Sequence, residues 1–237
     1  MNINVISVFP EIIEASMHGL TGKAFKDKKA NLELFDLKEF SKTEYGSVDD
    51  SPYGGGEGMV ISAEPLADCI KKINTPGHVI YLTPQGENFT QKKSLELSKY
   101  ENLTFVCGRY EGIDQRFIDS NVDEEISIGD FVLTGGEIGV MAIIDATVRL
   151  MPGALGDESS RTDESFEDGL LEYPHYTRPR QIDGLKCPDV LLSGDHEAIK
   201  KWRKEQSIIK TSQNRPDLLN NLTDSKSTDI QKNISKK

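Results

Sequence analysis

Four glycine-punctuated segments interrupt an otherwise alternating pattern of strands and helices in the first 150 residues: Tyr53-Gly54-Gly55-Gly56, Leu82-Thr83-Pro84-Gln85-Gly86, Gly108-Arg109-Tyr110-Glu111-Gly112 and the stretch from Gly129 to Gly136. The last three directly follow, or run on from, a short apolar strand. Strands alternating with helices build an α/β fold, a largely parallel sheet with helices on both faces. In such sheets ligands sit where the strands end at their carboxyl sides. Glycine lets a main chain approach a ligand closely and present its N–H and C=O groups. The set predicts a pocket for one small cofactor, built mostly from backbone.

Along the chain, Ile3 to Phe9 alternates as a strand and Pro10 suits the first turn of a helix running to about Lys28. Asn31 to Phe40 is a second strand. Ser41 to Met59 is polar, glycine-rich and too long for a plain connection, which marks a functional loop. Then follow helix Ala63 to Ile73, strand His78 to Leu82, helix Thr90 to Tyr100, strand Leu103 to Cys107, helix Ile113 to Asp119, strand Glu125 to Leu133 and helix Glu137 to Leu150. Gly153 to Gly169 is a break in composition and reads as a linker. Beyond it, Glu197 to Gln206 forms a helix anchored by Trp202, Pro216 begins another, and the chain frays from Thr223. The expected organisation is a cofactor domain over 1–155, a linker over 156–170 and a small, mainly helical C-terminal domain over 171–237.

No apolar run reaches the roughly 20 residues of a membrane helix, and the amino terminus lacks the basic start of a signal peptide, so a cytoplasmic protein with no membrane partner is expected. Cys69, Cys107 and Cys187 are too widely spaced to suggest a disulfide framework or a zinc site. The net charge of −11 argues at first against nucleic acid. Its distribution reverses that: residues 1–170 carry 15 basic and 30 acidic side chains, residues 171–237 carry 13 and 9. A weakly basic module on an acidic body is compatible with RNA.

Six strings in unbroken order carry a family resemblance: Val48 through Gly56, Tyr81-Leu82-Thr83-Pro84-Gln85-Gly86, Val106 through Asp114, Ile126 through Glu137, Tyr173-Pro174-His175-Tyr176-Thr177-Arg178-Pro179 and Leu191 through His196. The chain closely resembles the bacterial tRNA (guanine-N1)-methyltransferases of the TrmD type, within the SPOUT superfamily, over roughly residues 1–220. The resemblance implies S-adenosyl-L-methionine as cofactor, methylation of the guanine on the 3′ side of the anticodon (guanine 37), a deep trefoil knot, tRNA as partner, an obligate homodimer, and magnesium (Mg2+) during turnover with no metal ligands assigned. It places the cofactor wall at Tyr81, Leu82, Thr83, Pro84, Gly108, Ile128, Gly129, Asp130, Phe131, Val132, Leu133, Gly135 and Gly136. Neither a Gly-x-Gly-x-x-Gly turn nor a Walker A loop is present to hold a nucleotide in another way.

Methyl transfer to guanine N1 displaces a proton, so it needs a general base and a cation facing the charge that develops on O6. The resemblance puts the base at an Asp-Ser-Phe string, which here reads Asp163-Glu164-Ser165-Phe166, so the matching position is Glu164, with Asp163 beside it. That departure lengthens the arm by one methylene, and misplacement of a catalytic group is costly. Arg149 matches the arginine facing O6. Asp50 and Glu111 match substrate-facing carboxylates, and His175, Tyr176 and Arg178 match RNA-contacting or hinge residues. Thr211-Ser212-Gln213-Asn214 is less basic than the family pattern. The alternatives are a SPOUT enzyme acting on another RNA, or a catalytically silent RNA-binding relative.

Overall fold

The computed structural model describes residues 1–154, 164–166 and 168–220. The chain divides into two compact units, Met1–Asp157 and Glu158–Lys237. The first is an α/β unit around one five-stranded sheet. Its strands are β1 (Asn2–Ser7), β2 (Asn31–Asp36), β5 (His78–Asn88), β6 (Asn102–Cys107) and β7 (Glu124–Ser127), in the order β2-β1-β6-β5-β7, and all four pairings are parallel. A short antiparallel pair, β3 (Asp49–Asp50) and β4 (Val60–Ile61), stands apart from it.

Both faces of a parallel sheet must be covered, so its strands are apolar on both sides. Alternate residues do this. Ile3, Val5, Ile80, Leu82, Leu103, Phe105 and Cys107 pack on one face with the 3-10 turn Pro10–Met17 and with helices α1 (Gly19–Lys26), α3 (Gln91–Leu97) and α5 (Glu137–Val148). Ile6, Val79, Tyr81 and Val106 pack on the other, with α2 (Ala63–Lys72), α4 (Gln115–Asn121) and the 3-10 turn Leu37–Phe40. A row of amides at the amino ends of the strands fixes the register: Asn31 Nδ2 donates to Asn2 Oδ1 at 2.9 Å, and Asn2 Nδ2 to Asn102 Oδ1 at 2.9 Å.

In the first unit four elements depart from the sequence expectation in ways that shape the site. The helix expected from Pro10 to Lys28 is broken at His18, which is extended, with Gly19 at φ 66° beginning α1. The second strand stops at Asp36, whose side chain accepts from Lys38 N at 2.9 Å and turns the chain into a 3-10 segment. Strand β5 does not end at Leu82: both Leu82 and Glu87 lie opposite Ile126, so Thr83 to Gly86 loop out of one continuing strand. Gly86 is needed there because an added Cβ would lie 2.4 Å from Glu125 C and Ile126 N. Strand β7 ends at Ser127 rather than Leu133. The Ser127 hydroxyl accepts from Gly129 N at 3.2 Å and donates to Gly129 O at 3.0 Å, which folds the chain out of the sheet at Gly129, φ 143°.

The second unit contains the antiparallel pair β8 (Gln181–Ile182) and β9 (Leu185–Lys186), joined by Asp183-Gly184 with φ 51° and 83°, the pattern of a type I′ hairpin. Helix α6 (His196–Asn214) follows, longer than the expected Glu197 to Gln206; Asp195 caps it by accepting from Ala198 N at 3.1 Å. Thr211, fully buried, holds Leu171 N at 2.9 Å and so ties the start of the unit to this helix. Residues 216–220 are helical as expected; the tail from residue 221 lies outside the described residues.

Candidate functional site

Strands β6, β5 and β7 are neighbours, so the loops that follow β6 and β7 meet the Thr83–Gly86 loop, which interrupts β5 where its pairing with β6 ends. They enclose a cleft of about 280 Å³, suited to one small molecule. Of the residues expected in a cofactor wall, Tyr81, Leu82, Thr83, Pro84, Gly108, Ile128, Gly129, Phe131, Val132, Leu133, Gly135 and Gly136 all line it. Asp130 does not; it is exposed at the tip of the loop that Ser127 turns outward. Gln85, Arg109, Tyr110, Gly112, Ile126, Ser127, Thr134 and Gly139 also line the cleft. Most of these flank the glycine loops in sequence. Gly139 carried its own signal, an isolated glycine inside a helical pattern.

Several glycines in this wall are set by protein contacts rather than by open space. A Cβ on Gly108 would lie 2.9 Å from the Tyr81 ring, and one on Gly136 would lie 3.0 Å from Cys107 Cα. A Cβ on Gly135 would lie 2.4 Å from Glu137 Oε2 and 2.8 Å from Arg109 Nε. Gly136 N donates to Gly108 O at 2.9 Å, joining two of the loops. Gly139 differs: an added Cβ meets only Leu82 and Ile128, at ordinary contact of 3.5 Å or more. Burial pushes the Tyr81 phenol above its usual range.

Arg109 and Glu137 form an ion pair behind this wall. Arg109 Nε and Nη2 reach Glu137 Oε1 and Oε2, each at 3.1 Å, Ser7 Oγ donates to Oε1 at 2.6 Å, and the guanidinium lies over the Phe9 ring at 4.4 Å. Glu111 lines the cleft, its N–H donating to Met59 O at 3.0 Å; a Cβ on Gly58 would lie 2.6 Å from its Cγ. Asp50 is outside the lining but pairs with Val60 in the hairpin that carries Met59, and Ile61 N donates to Gly112 O at 3.0 Å. The long polar loop is thereby tied to the Glu111 loop. Asp114 caps α4, and its carboxyl is held below the usual range by hydrogen bonds from Arg116.

The remaining expected residues are at the far end of α5 or in the second unit. Arg149 caps the far end of α5, and at 1.5 Å per residue it stands roughly 20 Å from Gly136 along the helix. Glu164 belongs to the second unit, where the neighbouring Ser165 Oγ accepts from Glu172 N at 3.0 Å; Asp163 lies outside the described residues. In the same unit His175 Nε2 is 2.8 Å from Glu172 Oε1 and its ring stacks obliquely on Tyr173 at 4.9 Å. Tyr176 is 6.3 Å from Trp202, Arg203 lies over Tyr173 at 4.7 Å, and Arg178 is exposed before a cis proline.

A parallel sheet whose neighbouring strands wall one cleft defines an α/β protein with a cleft of small-molecule size. The family described as tRNA (Guanine-1)-methyltransferase TrmD matches residues 1–221. Two similar proteins named tRNA (guanine-N(1)-)-methyltransferase come from Alkaliphilus metalliredigens, 48% identical over 94% of this chain and 93% of the relative, and Lactobacillus delbrueckii subsp. bulgaricus, 51% identical over 92% and 89%. A third, from Buchnera aphidicola, is 50% identical over 92% of this chain and 84% of its own length. The chain belongs to the TrmD family of tRNA (guanine-1)-methyltransferases. Membership implies a methyltransferase that uses S-adenosylmethionine.

Proposed function

We propose that the cleft at the ends of β5, β6 and β7 holds S-adenosylmethionine and that the enzyme methylates N1 of guanine 37 in tRNA. The observation that carries this reading is the convergence of three glycine loops from adjacent strand ends on one cleft. Its chemistry fits the ligand: Leu82, Ile128 and Leu133 offer apolar contact to an adenine, and the loops offer main-chain donors and acceptors. The bound donor supplies an electrophilic methyl group whose bonding pair stays on sulfur. Glu164 takes the proton that leaves N1, Arg149 faces O6 as charge develops there, and Glu111 accepts from the guanine edge.

Arg149 cannot serve the cleft of its own unit from roughly 20 Å along α5, which supports a homodimer in which one copy's Arg149 completes its partner's site. The exposure of Ile138 on α5 and of Phe131 and Val132 on the rim supports the same assembly. By family resemblance the loops around Gly108 and Gly135 belong to a trefoil knot, a reading supported by the Gly136 N to Gly108 O bond and the Arg109–Gly135 bridge. The second unit, mainly helical, is assigned to tRNA through its basic balance and through His175, Tyr176 and Arg178. No described helix is long and apolar enough to cross a membrane, and a tRNA substrate supports the reading of a cytoplasmic enzyme. Magnesium accompanies turnover by resemblance alone; among the described residues no group of three or more His, Cys, Asp or Glu could hold a metal ion, and no step is routed through it.

Labelled methyl donor and an unmodified tRNA with guanine 3′ to the anticodon test the reading, with the methyl position mapped by nuclease digestion. Label on N1 of that guanine is expected, and label elsewhere or none overturns it. Gly139→Met, whose side chain starts toward Leu82 and Ile128, should abolish donor binding in calorimetry while leaving the fold intact. Unchanged binding would move the donor out of this cleft.

A further inference from the structure

Glu137 is the first residue of α5, and its side chain is 1% exposed. An acidic residue at a helix amino end is favourable there, but a surface position would give the same benefit. A buried ion pair is no reliable source of stability, because apolar residues of similar volume often serve as well. What distinguishes this carboxylate is where its partners come from. Ser7 ends β1, Arg109 sits in the loop after β6, and Gly135, whose missing side chain leaves room for the pair, ends the loop after β7. Arg109 lines the cleft, with 17% of its side chain exposed, whereas Glu137 lies behind it.

The charge balance of the cleft depends on this arrangement. Among the described lining residues Arg109 is the cation and Glu111 the carboxylate. The methyl donor carries a sulfonium charge that its spent form, S-adenosylhomocysteine, has lost. An uncompensated guanidinium in the wall would oppose the donor and leave the product unaffected; in a site of low dielectric such a term outlasts screening by salt. We propose that Glu137 is a specificity-determining and positioning residue: it offsets Arg109 so that the cleft favours the charged donor over the neutral product, and it holds the β6 and β7 loops in register. The proposal rests on the donor occupying this cleft.

The test is the ratio of affinities for S-adenosylmethionine and S-adenosylhomocysteine, each measured by calorimetry on the full chain. Glu137→Gln keeps the shape and an oxygen for Ser7 but removes the charge, so the ratio should move toward the neutral product by roughly tenfold. The double variant Glu137→Gln/Arg109→Gln, with neither charge, should return the ratio to that of the parent enzyme. Equal loss of both ligands in Glu137→Gln would leave a packing role only and overturn the proposal, as would an unchanged ratio. Should Glu137→Gln fail to fold, Arg109→Gln decides: it removes the cation that Glu137 offsets, so preference for the donor must hold or rise, and a fall overturns the proposal. A donor sited elsewhere is recognised separately, by unaltered binding of both ligands in Gly139→Met.

Discussion

Mixing two inactive variants distinguishes a site made by one copy from a site made by two. One variant is Gly139→Met, with its cleft filled; the other is Arg149→Ala, with the cleft open and the O6-facing cation gone. Arg149 is roughly 20 Å along α5 from Gly136, so within a single copy it does not reach the cleft. If the partner supplies it, a hybrid dimer has one site with both defects and one with neither. Random reassortment of equal amounts makes about half of all dimers hybrid, and one intact site in each gives about one quarter of the parent activity. Co-expression with two affinity tags followed by tandem purification isolates the hybrid, in which about half of full activity is expected by the same symmetry. Activity near zero in the purified hybrid refutes the shared site, and a monomer at assay concentration refutes the dimer. Arg149→Ala combined with Glu164→Gln is the companion experiment: it stays inactive if one copy delivers both residues and recovers if they come from different copies.

Glu164→Gln should lower the single-turnover methylation rate by roughly 10²- to 10⁴-fold with donor and tRNA binding retained; a normal rate would shift the role to Asp163, Glu111 or Asp50. Glu164→Asp, which shortens the arm, should lower the rate less than Glu164→Gln. Charge reversal at exposed Lys200 should flatten the salt dependence of tRNA binding by about one unit of slope, whereas at Lys204, already 2.5 Å from Asp168, it should do less; an unchanged slope at Lys200 makes that face merely solvated. Glu124 is desolvated, which alone would raise its pKa, yet Lys93 at 2.7 Å and His78 at 3.1 Å hold it below the ordinary value of 4.5. Its folded-state value is therefore depressed: the stability it contributes is present above pH 4.5 and is lost as pH falls through the lower folded value. Urea titrations should accordingly show Glu124→Gln with a flatter acid limb. The Cys69 thiol, pushed up to about 12 by burial and the Glu39 carboxylate, should resist alkylation in the folded protein, while partly exposed Cys187 reacts.

The parallel sheet was legible because its signal is local. Val5-Ile6, Val79 to Leu82 and Leu103 to Cys107 are short apolar runs, each buried from both sides, and the last two are each followed by a glycine loop. The loop residues of the cleft were legible for the same reason; Asp130, exposed, is the one expected wall residue outside its lining. The continuation of β5 past Leu82 was not legible. Thr83-Pro84-Gln85-Gly86 has the composition of a turn, and only the close approach of Gly86 to the backbone of Glu125 and Ile126 shows that the strand resumes. The pairing of Arg109 with Glu137 spans 28 residues, and its link to Ser7 spans 130. Neither leaves a periodicity or a motif. Gly135 lines the cleft, and the sequence does not show that its missing side chain also makes room for that ion pair.

The distribution of charge over these elements separates donor binding from proton transfer. Among the described lining residues Glu111 is the only carboxylate, and its main-chain N–H donates to Met59 O. The residues assigned to the N1 proton and to O6 lie in the second unit and at the far end of α5. On the proposed reading the donor site and the proton acceptor are supplied by separate parts of the chain, so specificity for guanine is exercised at the step where the base is brought to N1 rather than where the donor binds.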